Sequence, residues 1–182
     1  MKRYVFSMTG ATGPIVGLRV LRELASRAEV HMTVSSPAFA IIRDEAGVDW
    51  LGPDLQEIQA RIRAYAESDS IRYYDERDFY APMASGSFKT DGMFVVPCSM
   101  KTLAGIAAGY ANSLTERAAD VTIKERRLLV LSPREMPFSP IHLQNMLKLS
   151  RIGVAIVPPV LGFYHRPRGV DDIIDFIAGR IL

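Results

Sequence analysis

The sequence predicts an α/β fold in which a parallel sheet is wound on both sides by helices. Short apolar runs alternate with helix-spaced segments almost throughout the chain, the pattern of successive strand–helix–strand units. Several runs, such as Phe94-Val95-Val96, are continuously apolar, as strands covered on both faces require. Two of them lead into polar, charged turns, Pro97–Thr102 and Ser132–Glu135. That places a candidate site at the carboxyl edge, where open α/β sheets bind ligands.

Each element has its own signal. Tyr4–Met8 is a first strand, closed by the glycine-rich Thr9-Gly10-Ala11-Thr12-Gly13. Pro14 suits the first turn of a helix, where no N–H is needed, and Leu18, Val20, Leu21 and Leu24 continue it. Val30–Val34 is a second strand, ending at Ser35-Ser36-Pro37. Ala38–Asp44 and Pro53–Ala66 read as helices. Residues 67–91 read as a polar, irregular loop with Tyr73, Tyr74, Phe79 and Tyr80, and a loop that long usually serves a function. Phe94–Val96 is a strand and Leu103–Tyr110 a helix, followed by a charged stretch. Leu128–Leu131 is a strand, Ile141–Leu149 a helix, and Val154–Val157 a strand stopped by Pro158-Pro159. Asp171–Ile181 is a closing amphipathic helix. No linker or repeat divides the chain, so residues 1–182 read as one domain.

Composition narrows the function classes. Of 182 residues, 48% are hydrophobic and 23% charged, ordinary for a globular protein. A net charge of +2, with basic residues scattered, argues against nucleic acid. The single cysteine rules out an internal disulfide and a multi-cysteine metal site. No apolar run approaches the roughly 20 residues of a membrane span. The first apolar run is too short for a signal-peptide core. The expected location is the cytoplasm.

Several residues are candidates for chemistry. The Thr9–Gly13 turn can bring backbone N–H groups to a phosphate at a helix N-terminus, though its spacing fits neither the dinucleotide fingerprint nor a P-loop. Ser35 can donate to a ligand or cap the helix that follows. Ser99, Lys101 and Thr102 open a helix with hydroxyls and one cation. Arg117, Lys124 and Arg134 are three cations expected to converge on an anion. Glu135, beside a phosphate, can deliver a proton to a leaving group. Tyr164 can hydrogen-bond a phosphate, while Arg180 also reads as an ordinary charge at a helix end. Asp44 and Glu45 read from pattern alone as a solvated pair. Cys98 reads as a packed thiol, and His165 as structural.

Together, MTGATG, VHMTVS, ASGS, PCSMKTLAGIAAGYANSLTERAADVTIKERRLLVLSPRE, PFSPIHLQNMLKLSRIGVAIVPPVLGFYHRP and DDIIDFIAGRIL resemble the UbiX-type flavin prenyltransferases, in order and over nearly the whole chain. The resemblance implies a flavodoxin-like or Rossmann-like three-layer sandwich that binds reduced FMN and dimethylallyl phosphate, without a metal. It implies transfer of the dimethylallyl group to flavin nitrogen 5 and ring closure at carbon 6. The product, prenylated FMN, serves UbiD-type decarboxylases. By motif, Gly10, Ala11, Thr12, Ser35, Ser99, Met100, Lys101, Thr102 and Arg134 would contact FMN. Arg117, Lys124, Glu135, Tyr164 and Arg180 would hold or act on the prenyl phosphate. Glu45 would lie at the flavin edge and assist proton movement, with Thr12, Lys124 and Glu135 as its catalytic partners. The resemblance further implies a homododecamer with sites between subunits, Tyr164 and Arg180 coming from a neighbouring chain. Phe79, Tyr80 and Met83 are candidates for an apolar lid.

Thr12 stands where the family usually has Ser, and Phe79 where some members have Trp. Two other readings are an FMN-dependent cysteine decarboxylase and a non-catalytic carrier of FMN or prenylated FMN. Pro97–Lys101 lacks the Asn-containing turn expected of the former, and a carrier needs no acid such as Glu135.

Overall fold

A computed structural model describes residues 1–182. The alternating pattern becomes six strands and seven α-helices. In order they are β1 (Arg3–Met8), α1 (Pro14–Ala25), β2 (Glu29–Val34), α2 (Ser36–Ala46), α3 (Leu55–Ala66), β3 (Ile71–Tyr74), β4 (Gly92–Cys98), α4 (Met100–Ala108), α5 (Leu114–Lys124), β5 (Leu128–Pro133), α6 (Pro140–Arg151), β6 (Ala155–Ile156) and α7 (Val170–Ile181). A short 3-10 turn, Pro82–Ala84, precedes β4. All strand pairs are parallel, in the order β3-β2-β1-β4-β5-β6. From β1 the chain winds one way through β2 and β3, then returns to build β4, β5 and β6 on the other side. The winding reverses between β1 and β4.

The sheet separates two cores. Phe6, Met8, Val30, Met32 and Val34 face one layer, with Leu18, Leu21, Ile42, Ile62 and Ile177 from α1, α2, α3 and α7. Val5, Met93, Val95, Leu129 and Leu131 face the other, with Leu103, Ile106, Leu114, Ala118 and Leu149 from α4, α5 and α6. The period of two along each strand sends neighbouring residues to opposite layers. The helices thus sit on both faces, as the sequence predicts. Gly17 lets α1 lie directly on the sheet: a Cβ there would come within 2.2 Å of the Val96 carbonyl oxygen.

Two elements differ from the sequence-based expectation. β3 lies inside the stretch expected to be loop. It has only four residues, at the sheet edge, with buried Ile71 and Tyr73 flanking exposed Arg72, too short a run to stand out. α5 lies inside the charged stretch. Its start was legible: the Ser113 side chain accepts from the Glu116 N–H while Glu116 accepts from the Ser113 N–H, a capping box. The helix expected at Leu103–Tyr110 begins earlier, at Met100, and ends at Gly109, whose φ of 71° takes the left-handed conformation that stops helices.

Candidate active site at the carboxyl edge

The site begins where the winding reverses, and Thr9 builds it. Its N–H and Oγ1 both bond to the Pro97 carbonyl, at 3.1 and 3.0 Å, and Oγ1 accepts from the Ser99 N–H at 2.7 Å. The turn after β1 is thereby stitched to the turn after β4. Gly10 follows without a side chain because Pro37 of α2 is close: a Cβ would meet Pro37 at 3.0 Å. The crevice between these turns is a cavity of about 220 Å³. Of the residues expected to contact FMN, Gly10, Ser35, Ser99, Lys101 and Thr102 line it, with Thr9, Glu76, Ser113 and Glu116. Small-molecule pockets commonly run to about 300–1,000 Å³, so this crevice by itself is smaller than most.

Ser35 takes the N-cap position of α2 with no side-chain bond to the helix. Glu76 does that work, accepting from the Ser36 N–H at 2.9 Å and from its hydroxyl. The Ser35 hydroxyl is left buried without a partner. A buried hydroxyl without a bond is costly, so this one is available to a ligand. The Ser99 Oγ donates to Thr102 Oγ1 at 3.0 Å and accepts from its N–H at 3.3 Å, capping α4. Lys101 is exposed and unpaired. Glu76 and the buried Glu116 supply acceptors that the sequence reading missed. Hydroxyl donors, a helix N-terminus, a cation and two carboxylates together suit a ligand with an anionic end and a hydroxylated chain. FMN is such a molecule.

On the other side of the crevice, exposed Arg134 and half-buried Glu135 follow β5. The Arg134 N–H donates to the Cys98 carbonyl at 3.3 Å, which joins this turn to the end of β4. One Glu135 oxygen accepts from the Met136 N–H at 2.9 Å. Both residues rim a second cavity of about 540 Å³, walled by Pro133, Met136, Phe138, Pro158 and Leu161. At the end of the turn after β1, outside the crevice lining, exposed Glu45 accepts through Oε2 from the Gly13 N–H at 2.9 Å. Its carboxylate therefore lies beside Thr12 and is not merely a solvated charge. Ala11 and Met100 stand in the same two turns, Ala11 donating to the Thr9 carbonyl at 2.7 Å and Met100 packed against the second core.

The expected convergence of Arg117, Lys124 and Arg134 does not occur within one chain. Arg117 donates to the Ala84 carbonyl at 3.0 Å and pairs with Asp120 at 2.9 Å. Lys124 pairs with Glu125 at 2.7 Å, which holds the Glu125 carboxyl below its usual range. Lys124 ends α5 next to where β5 begins, whereas Arg134 follows its far end. Six strand residues at ~3.3 Å each put about 20 Å between those ends. Tyr164 and Arg180 belong to the other layer. Tyr164 is exposed, its ring edge-on to Phe176 of α7 at 5.4 Å, and Arg180 is exposed on α7 without an ion pair. The sheet lies between them and α5. Of the lid candidates, Tyr80 is fully exposed and Phe79 partly so, but Met83 is buried in the second core and cannot serve. Cys98 is packed as expected, and burial pushes its thiol up to about 12. No helix is long and apolar enough to cross a membrane.

Known proteins resemble the chain along its whole length. The family model described as Flavoprotein matches residues 1–182. A flavin prenyltransferase UbiX from Methanocaldococcus jannaschii is 46% identical over 99% of this chain and 91% of its own. The structure of AnUbiX in complex with FMN and dimethylallyl pyrophosphate superposes with a TM-score of 0.87 at 44% identity, covering 100% of this chain and 90% of that one. A dodecameric FMN-dependent UbiX-like decarboxylase from Escherichia coli O157:H7 gives a TM-score of 0.87 at 46% identity, covering 99% and 92%. With a match of this extent, and a crevice whose donor set suits FMN, the chain belongs to the UbiX-type flavin prenyltransferase family of flavoproteins.

Proposed function

We propose that this protein transfers a dimethylallyl group from dimethylallyl phosphate to reduced FMN, at nitrogen 5 with ring closure at carbon 6. The observation that carries this reading is the Arg134 N–H to Cys98 carbonyl bond. It holds the turn bearing one cation and one carboxylate beside the end of β4, from which Ser99, Lys101 and Thr102 continue into the crevice. When bound, reduced FMN supplies the nucleophilic nitrogen. The allylic carbon–oxygen bond breaks, its electron pair leaves with the phosphate, a carbon–nitrogen bond forms, and the proton that nitrogen 5 gives up replaces the one Glu135 donates.

The chain's residues then have separate tasks. Glu135 gives a proton to the departing phosphate, general acid catalysis worth on the order of a hundredfold or more. Arg117, Lys124, Tyr164 and Arg180 hold that phosphate and stabilise the charge it gains. Ring closure adds one proton to the alkene and removes one from carbon 6. Glu45, held beside Thr12 by the Gly13 N–H, can carry both. Apolar side chains, Phe79 and Tyr80 among them, keep water from the allyl group.

Because the sheet stands between α5 and Tyr164–Arg180, this phosphate-binding set needs more than one chain. That favours a homo-oligomer with shared sites, a dodecamer on the family pattern. The product would go to a UbiD-type decarboxylase in the cytoplasm. The test is anaerobic incubation with reduced FMN and dimethylallyl phosphate, followed by a mass spectrum of the flavin. A gain of one five-carbon prenyl unit is expected. No gain with either the phosphate or the pyrophosphate donor overturns the proposal. Loss of carbon dioxide from a peptidyl cysteine would instead favour the decarboxylase reading.

A further inference from the structure

We propose that Arg127 is a positioning residue for prenyl transfer, holding the Ala84–Phe88 turn in register with Lys124. The inference rests on the reading that Lys124 takes the donor phosphate.

Arg127 stands three residues beyond Lys124, between α5 and β5, and is half-buried. Its guanidinium forks across the turn: Nη2 donates to the Gly86 carbonyl at 2.8 Å and Nη1 to the Phe88 carbonyl at 2.8 Å. Two carbonyls two residues apart suit the fixed fork of Arg and not the single ammonium of Lys. The turn is fastened at both ends as well. Arg117 takes the Ala84 carbonyl. Phe88 packs edge-on to buried His31 at 4.7 Å, and the Arg3 guanidinium lies 4.6 Å from the Phe88 ring centre.

The turn presses on Lys124. A Cβ at Gly86 would lie 2.8 Å from Lys124 Nζ and 2.2 Å from Glu125 Oε1, so the backbone itself limits where the ammonium can go. Peptide planarity adds a consequence. With the Gly86 carbonyl drawn to Arg127, the Ser87 N–H must point the opposite way, and it makes no hydrogen bond within the chain. The Ser85 and Ser87 hydroxyls bond each other at 2.9 Å on the same turn. Arg127 thus sets both the place of Lys124 and the direction of a free N–H near it, without itself touching the donor.

The test compares wild type, Arg127→Gln and Arg127→Lys for donor KM, kcat, FMN Kd and hydrogen exchange of the 84–88 amides. Arg127→Gln should raise the donor KM on the order of tenfold, with a smaller change in kcat, an unchanged FMN Kd and faster exchange. Arg127→Lys should recover part of the KM, and keeps the test open if the Gln variant does not fold. An unchanged donor KM in a folded variant overturns the proposal, even with faster exchange, because Arg127 is then only structural. Equal loss of FMN affinity overturns it too. If wild type transfers no prenyl group, the functional reading fails. Binding of dimethylallyl phosphate is then measured directly: affinity lost in Arg127→Gln supports the positioning role, and affinity unchanged or absent in wild type ends it.

Discussion

Ser35→Ala should move two quantities in opposite directions. The Ser35 hydroxyl is buried without a partner and caps nothing. Burying such a group costs about 1–3 kcal/mol by protein mutational data, and alanine removes the cost without opening a large cavity. The flavin-free protein should therefore gain about 1 kcal/mol or more, a rise in Tm of roughly 2–4 °C per kcal/mol for a chain of this size. FMN binding should weaken by one hydrogen bond, about 0.5–1.5 kcal/mol net, or roughly 2- to 12-fold in Kd. Calorimetry of the flavin-free protein and a fluorescence titration with FMN measure the two. A lower Tm would mean that the hydroxyl has a structural partner. An unchanged Kd would mean that it does not face the flavin. Either result refutes the reasoning.

Glu135→Gln should slow prenyl transfer on the order of a hundredfold or more while leaving FMN affinity intact, and abolished FMN binding would remove Glu135 from the role of acid. Gly17→Ala should destabilise by about 1–3 kcal/mol in urea unfolding, since its Cβ would strike the Val96 carbonyl. Gly179→Ala, with open space around it, should stabilise by roughly 0.5–1 kcal/mol, and equal effects would contradict the close approach of α1 to β4. Burial holds the His31 imidazole below its ordinary 6.5, although Glu29 pulls it upward. The unfolded chain then takes the proton first, so stability should fall as pH drops below about 6.5, and His31→Gln should flatten that decline in pH-dependent urea midpoints.

Much of the fold was legible because its signals are local. Apolar runs such as Phe94–Val96 declare a covered strand, and Pro14 declares a helix start. β3 and α5 escaped for opposite reasons. Ile71–Tyr74 is an edge strand too short for periodicity to register. α5 hides buried Leu114, Ala118 and Val121 among charges, and only its capping box betrays it. In the site, Ser35, Ser99, Lys101 and Thr102 were readable from their place after strands. The part Thr9 plays within its turn, and Glu76 and Glu116 altogether, were not, because a polar residue shows its purpose only through its partners.

The sequence by itself determined the fold class, a doubly wound parallel sheet, most of its strands, and the carboxyl edge that carries Ser99–Thr102 and Arg134–Glu135. These follow from strand–helix alternation and chain connectivity, which are properties of neighbours along the chain. Only the tertiary structure decided which distant groups share a space. It placed Glu45 against Gly13 and left the Ser35 hydroxyl unpaired. It set Lys124 and Arg134 at opposite ends of β5, and Tyr164 and Arg180 across the sheet from α5. The physical reason is that a hydrogen bond or an ion pair acts over about 3 Å, a distance that sequence separation does not measure.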